Sequence, residues 1–150
     1  MNILFVCTGN TCRSAMAEAL AGKMLADAGV KGVTVESCGT AVSPLYKVPP
    51  VVITLMRQEG IDMTRHRPAQ MTEKHLIETD IVLVMDSYHK QYIASTSPGK
   101  KSKVFLLKEY IGEKKDIEIS DPIGHSDEAY GRTKDELKRC IIKLIKKLKG

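Results

Sequence analysis

Three short runs of unbroken apolar residues constrain this chain most: Ile3-Leu4-Phe5-Val6, Ile81-Val82-Leu83-Val84-Met85 and Val104-Phe105-Leu106-Leu107. A strand with one wet face alternates apolar and polar side chains. A run without alternation, too short for a helix and rich in β-branched residues, reads as a strand buried on both faces. Val33-Thr34-Val35-Glu36 is a fourth, more exposed candidate. Helical spacing fills the gaps. Met16, Ala17, Leu20, Ala21, Met24 and Leu25 recur at that spacing before Gly29, and Pro49-Pro50 open a pattern through Val51, Val52, Leu55 and Met56 that Gly60 closes. Proline suits a helix start and glycine a helix end. Thr72 and Asp86 are candidate caps of helices reaching Ile77 and Ile93, the second broken at Ser97-Pro98-Gly99. Ser126 or Asp127 caps a last helix whose stripe is Leu137, Cys140, Ile141, Leu144, Ile145 and Leu148. The order β-α-β-α-α-β-α-β-loop-α predicts an α/β fold. It is expected as a single three-layer domain over residues 1–150, a four-stranded parallel sheet with helices on both faces. Segments 38–48 and 108–126 remain as long loops, which in compact domains are often functional.

A chain of 150 residues buries a core without staples. No apolar run approaches the ~20 residues that span a bilayer, and Met1 to Val6 has no basic region of a signal peptide. A cytoplasmic location without membrane contact is therefore expected. Cys7, Cys12, Cys38 and Cys140 form no CxxC and no zinc-like spacing. In a reducing cytosol they are thiols, and neither a metal nor a cofactor is expected. The net charge of +5 gathers partly in Lys143, Lys146, Lys147 and Lys149, the solvated face of the last helix. With two Phe, no Trp and no recognised motif, nucleic acid is not an expected partner, while a cationic surface favours anionic substrates. The chain is expected to be a monomer.

Chemistry concentrates in Cys7-Thr8-Gly9-Asn10-Thr11-Cys12-Arg13-Ser14, which leaves the first strand and opens the first helix. In open α/β sheets ligands bind at the carboxyl ends of strands. Gly9 and Asn10 tolerate unusual backbone angles, so the loop can curl with its N–H groups inward. The helix adds its own unpaired N–H groups and the positive end of its dipole. The outcome is a phosphate-binding cup formed by Thr8 to Ser14. Cys7 sits at its base, where amides, dipole and Arg13 all favour the nucleophilic thiolate. Arg13 can fold back to hold two phosphoryl oxygens with its planar fork and to stabilise transition-state charge, so that no metal is required. A cysteine after a strand is otherwise commonly core; its place after a buried strand, beside Gly-Asn and before a good helix, favours chemistry. A leaving group needs an acid, and Asp121-Pro122 lies in the late loop at the same edge of the sheet, although Asp-Pro is also a common turn signal.

Together these features resemble the low-molecular-weight protein tyrosine phosphatase family over essentially the whole chain. Val6 to Ser14 resembles its N-terminal signature, continued by Ala17-Glu18; Ser37, His66, Asp80 to Asp86 and Asp121-Pro122 match in order and spacing. The resemblance implies hydrolysis of phosphorylated proteins to inorganic phosphate through a phosphocysteine. Cys7 would be nucleophile, Arg13 the phosphate and transition-state binder, and Asp121 first acid and then base. Ser14 would hydrogen-bond the Cys7 sulfur, while Asn10, Ser37 and His66 would hold the loop's shape. Cys12 looks like the family's backup thiol, able to form a disulfide with Cys7 under oxidation; simple packing is the alternative. His75, His89 and His125 receive no role.

Two departures bear on substrate. Phosphotyrosine members usually carry Ile where this chain has Thr11, and Thr resembles the protein-arginine phosphatase branch. A hydroxyl suits a polar phosphoguanidinium better than an aromatic ring, and Asp121 could bind the guanidinium. Phosphotyrosine members also tend to carry Tyr after Asp-Pro; here Ile123-Gly124 follow, with Tyr46 and Tyr130 able to compensate in part. Neutral drift at Thr11 and Ile123 is the alternative account. Phosphoarginine is the favoured substrate and phosphotyrosine the alternative. Arsenate reductase, built on the same loop, is a distant alternative, since residues 80–100 hold no cysteine. A phosphoprotein-binding module would need neither Cys7 nor Asp121.

Overall fold

The computed structural model describes residues 1–150. Its four strands are β1 (Asn2–Cys7), β2 (Thr34–Gly39), β3 (Ile81–Val84) and β4 (Val104–Leu106), all parallel, in the spatial order β2-β1-β3-β4. The helices are α1 (Arg13–Asp27), α2 (Pro50–Gln58), α3 (Glu73–Glu78), α4 (Ser87–Thr96), the short α5 (Leu107–Tyr110) and α6 (Asp127–Lys149). The predicted order holds.

Alternation inside β1 shows why its run is apolar throughout. Ile3, Phe5 and Cys7 face one core with Leu83, Met85 and the buried faces of α1, α2 and α6. Leu4 and Val6 face the other, with Val82, Val84, Leu76 of α3 and Ile93 of α4. Each fully buried Leu or Phe contributes about 1.5–3 kcal/mol, so both faces must be covered. No helix is long and apolar enough to cross a membrane.

Caps behave as the sequence suggests. Thr72, Asp86 and Ser126 accept N–H groups of the helices they precede, Pro50 starts α2, and Gly29 and Gly60 follow α1 and α2 with φ of 66° and 77°, where a Cβ would be strained. Two details differ. The third apolar run, Val104 to Leu107, stops being strand at Leu106, because Leu107 begins α5, which continues into the segment expected as loop from residue 108. A 3₁₀ turn, Pro98–Lys103, occupies the expected break after α4. Glu59, just beyond α2, pairs with Lys134 and Lys138 of α6 at 2.9 and 2.8 Å, and Glu113 pairs with Arg139 and Lys143.

Register places the site. Cys7 pairs with Gly39, Val6 with Val84, and Val84 with Leu106, so every strand ends at one edge. Chain order reverses between β1 and β3, the position where open sheets open a crevice.

Candidate active site

The loop after β1 is hung from its neighbours by its carbonyls. Cys7 and Thr8 carbonyls accept from Thr40 and Ala41 N–H at 3.0 Å each, and His66 Nε2 lies 2.8 Å from the Asn10 carbonyl. None of the seven N–H groups from Thr8 to Ser14 donates to a protein acceptor, although Asn10 to Ser14 are all buried. Buried amides are almost always paired. A consecutive run without partners has the chemistry to receive an anion, reinforced by the α1 N-terminus.

Asn10 makes the bend. Its φ is 58°, in the left-handed region that Asn tolerates better than other non-glycine residues. The side chain is spent on holding that shape: Nδ2 donates to Ser14 Oγ at 2.8 Å and to Ser37 Oγ at 2.9 Å, and Oδ1 accepts from Ala69 N–H at 2.9 Å. Ser37 in turn donates to Glu18 at 2.5 Å. Ser14 Oγ stands 2.9 Å from Cys7 Sγ. Asn10, Ser14, Ser37 and His66 are thus all brought together around the loop. Gly39 is fixed by space: a Cβ there would lie 2.3 Å from the Thr8 carbonyl oxygen.

Arg13 is 3% exposed. Its Nη1 donates to Asp86 at 2.8 Å and to the Ile119 carbonyl at 2.9 Å, while Nη2 lies 3.6 Å from Asp121. Asp86 also caps α4, its Oδ1 accepting from Tyr88 and His89 N–H. Burial alone would raise the Asp86 carboxyl, but the Arg13 hydrogen bond and nearby positive charge outweigh it and hold it below its usual range.

Ile119 N–H bonds the Met85 carbonyl at 2.8 Å, which ties the late loop to the end of β3. Two residues on, Asp121 stands at the mouth with its side chain 42% exposed. Its Oδ1 accepts from Ile123 N–H at 3.0 Å, and Pro122 is buried beneath. Ile123 and Tyr46 are exposed, and the Tyr46 ring lies over Gly9, 3.1 Å from where a Cβ would be. Grooves of about 550 and 440 Å³ flank the cup, one bounded by Tyr46, His66 and Arg67, the other by Asp121, His125 and Arg132. Thr11 is buried in the loop. Tyr130 is also buried, at 8% exposure; burial pushes its hydroxyl up, and Cys12 and Asp121 add to the effect. Cys12 is also buried, and burial pushes its thiol well up, with Cys7 and Asp121 adding to the effect.

Asp86 and Glu18 match the family in sequence but carry no assigned role there, and the structure adds both, with His89, to the site. His89 received no role, yet it is fully buried and stands 2.9 Å from Thr8 Oγ1. The Asp-x-x-His spacing at Asp86 and His89, a reciprocal cap, was the available signal.

The family model for low molecular weight phosphotyrosine protein phosphatases matches residues 2–150. The chain belongs to this family. Among curated members of the low molecular weight phosphatases, the protein-arginine-phosphatase of Bacillus subtilis is 42% identical over 150 residues, covering 99% of this chain and 97% of its own. The low molecular weight protein-tyrosine-phosphatase PtpB of Staphylococcus aureus is 35% identical over 149 residues, covering 96% of each. Among solved structures, the C7S mutant of the YwlE arginine phosphatase with a phosphorylated active-site serine superposes with a TM-score of 0.93 at 40% identity, over 99% of this chain and 96% of that one.

Proposed function

We propose that this chain is a cysteine-dependent protein phosphatase whose preferred substrate is phosphoarginine. The observation that carries the reading is the run of unpartnered amides from Thr8 to Ser14, closed by the Arg13 guanidinium and with the Cys7 sulfur at its base. In the first step the Cys7 thiolate attacks phosphorus. The bond from phosphorus to the leaving nitrogen or oxygen breaks, and Asp121 gives that atom its proton. In the second, Asp121 takes a proton from water, whose oxygen displaces sulfur and releases inorganic phosphate. Arg13 and the amides stabilise equatorial charge throughout, so the reading requires no metal or cofactor. Ser14 donates to the sulfur as it regains its charge. Cys12, kept protonated by burial, is suited to trap an oxidised Cys7 as a disulfide rather than to compete as nucleophile.

Thr11 supports phosphoarginine over phosphotyrosine, as does the similarity to the Bacillus enzyme. Ile123 leaves the mouth without an aromatic wall there, and Asp121 is placed to meet a guanidinium. Phosphotyrosine is the second reading, favoured by Tyr46 over the cup and by the similarity to PtpB. Arsenate reduction has no support from the remaining thiols: Cys38 and Cys140 are buried, which pushes them up to about 12 and about 11. A monomer acting in the cytoplasm completes the proposal, the four unbridged cysteines being suited to a reducing compartment. The test is kcat/KM on phosphoarginine and phosphotyrosine peptides for the wild type and Thr11→Ile. The variant is expected to lose phosphoarginine activity and gain relative activity on phosphotyrosine. An unchanged ratio removes the specificity argument.

A further inference from the structure

The mechanism above leaves one fully buried, chemically capable side chain unused. His89 lies on α4, across the sheet from α1, yet its ring reaches the first residue of the phosphate loop. We propose that neutral His89 is a positioning residue, bracing the loop at Thr8 and anchoring the backbone of Asp86, whose carboxylate holds Arg13.

Both ring nitrogens are committed. The backbone N–H of Asp86 donates to Nδ1 at 3.2 Å, so Nδ1 carries no proton. Nε2 therefore does, and it donates to Thr8 Oγ1 at 2.9 Å. The ring's own backbone N–H returns to Asp86 Oδ1 at 3.4 Å. This reciprocal cap fixes the Asp86 side chain, so that Oδ1 serves the helix and Oδ2 serves Arg13. One imidazole thus ties Thr8, next to the nucleophile, to the backbone of Asp86, whose carboxylate aims the guanidinium. Four charged groups face the ring, Asp86 from its own cap, Arg13 from α1, and Asp121 and Glu118 from the segment after α5. Burial outweighs the three carboxylates and pushes His89 down to about 4, which fits the neutral tautomer that the hydrogen bonds require.

The inference rests on the phosphatase reading, and the test separates the two. Wild-type protein without turnover of any phosphorylated peptide would defeat the reading itself; the inference is decided by a cycle of Thr8→Val, His89→Phe and the double variant. Loss of a positioning hydrogen bond should appear in kcat more than in KM. Each single variant is expected to lose about tenfold or more in kcat. The double variant should be no worse than His89→Phe alone, because the Thr8 contact is already gone in that single variant. His89→Gln, which can still donate toward Thr8, should recover most of the loss. Wild-type kcat in Thr8→Val, or losses that multiply in the double variant, would overturn the proposal. If His89→Phe does not fold, Thr8→Val and nitrogen NMR of the wild-type ring decide: a proton on Nε2 supports the brace, and a proton on Nδ1 refutes it.

Discussion

Asp86→Asn removes one charge from the site and leaves most of its shape. The amide oxygen can still cap α4, but an NH₂ group then faces Arg13 Nη1 across the 2.8 Å now spanned by a hydrogen bond. Two donors oppose each other. Arg13, 3% exposed, keeps only the Ile119 carbonyl at 2.9 Å and a looser Asp121 at 3.6 Å. Removing one partner of a buried ion pair costs about 3–5 kcal/mol. The Asp86 side chain is 25% exposed, so water recovers part, and about 2–3 kcal/mol is expected. Asp86→Ala loses the cap as well, adding about 1 kcal/mol. Urea unfolding of the three proteins at neutral pH measures these differences. Their sign with pH provides a control. The Asp86 carboxyl is held below its usual range, so its stabilisation is present above the ordinary carboxylate pKa and lost as pH falls through the lowered one; wild type and Asp86→Asn should converge in acid. In turnover, a guanidinium free to drift should cost about 10²-fold in kcat/KM. Stability within about 0.5 kcal/mol of wild type, with unchanged kcat/KM, would refute the idea that this carboxylate aims Arg13.

Asp121→Asn should lose about 10²–10⁴ in kcat, mostly on substrates with poor leaving groups; equal losses on good ones would count against an acid. Gly39→Ala should destabilise by about 1–3 kcal/mol and depress activity, because its methyl meets the Thr8 carbonyl and Val42; a wild-type melting temperature would contradict that crowding. His89 binds its proton less readily folded than unfolded, so stability should fall as pH drops from about 6.5 to about 4, by about 3 kcal/mol. The same slope in His89→Gln would assign that acid sensitivity elsewhere.

Much of this architecture could be read from local pattern. β1 and β3 announce themselves because burial on both faces leaves no room for a polar residue, and α6 because its stripe recurs over many turns. The shape of the Cys7 to Ser14 loop was legible because one segment holds cysteine, bend and guanidinium together. What escaped depends on distance in the chain. Arg13 and Asp86 are 73 residues apart, and Thr8 and His89 are 81; nothing in either segment says that they meet. The short α5 escaped because four residues carry no periodicity to read.

The Cys7 loop flows directly into α1, and α1 lies along α6 through a shared core that includes Ala17, Leu20, Leu137, Ile141 and Leu144. Residues near the carboxyl terminus, though remote from phosphorus, are therefore its foundation. A chain shortened ahead of Leu137 would still encode Cys7, Arg13 and Asp121, while the ledge under the loop's helix would be gone. The smallest unit able to do this chemistry is set by what lies beneath the cup, and that is nearly the full length of the polypeptide.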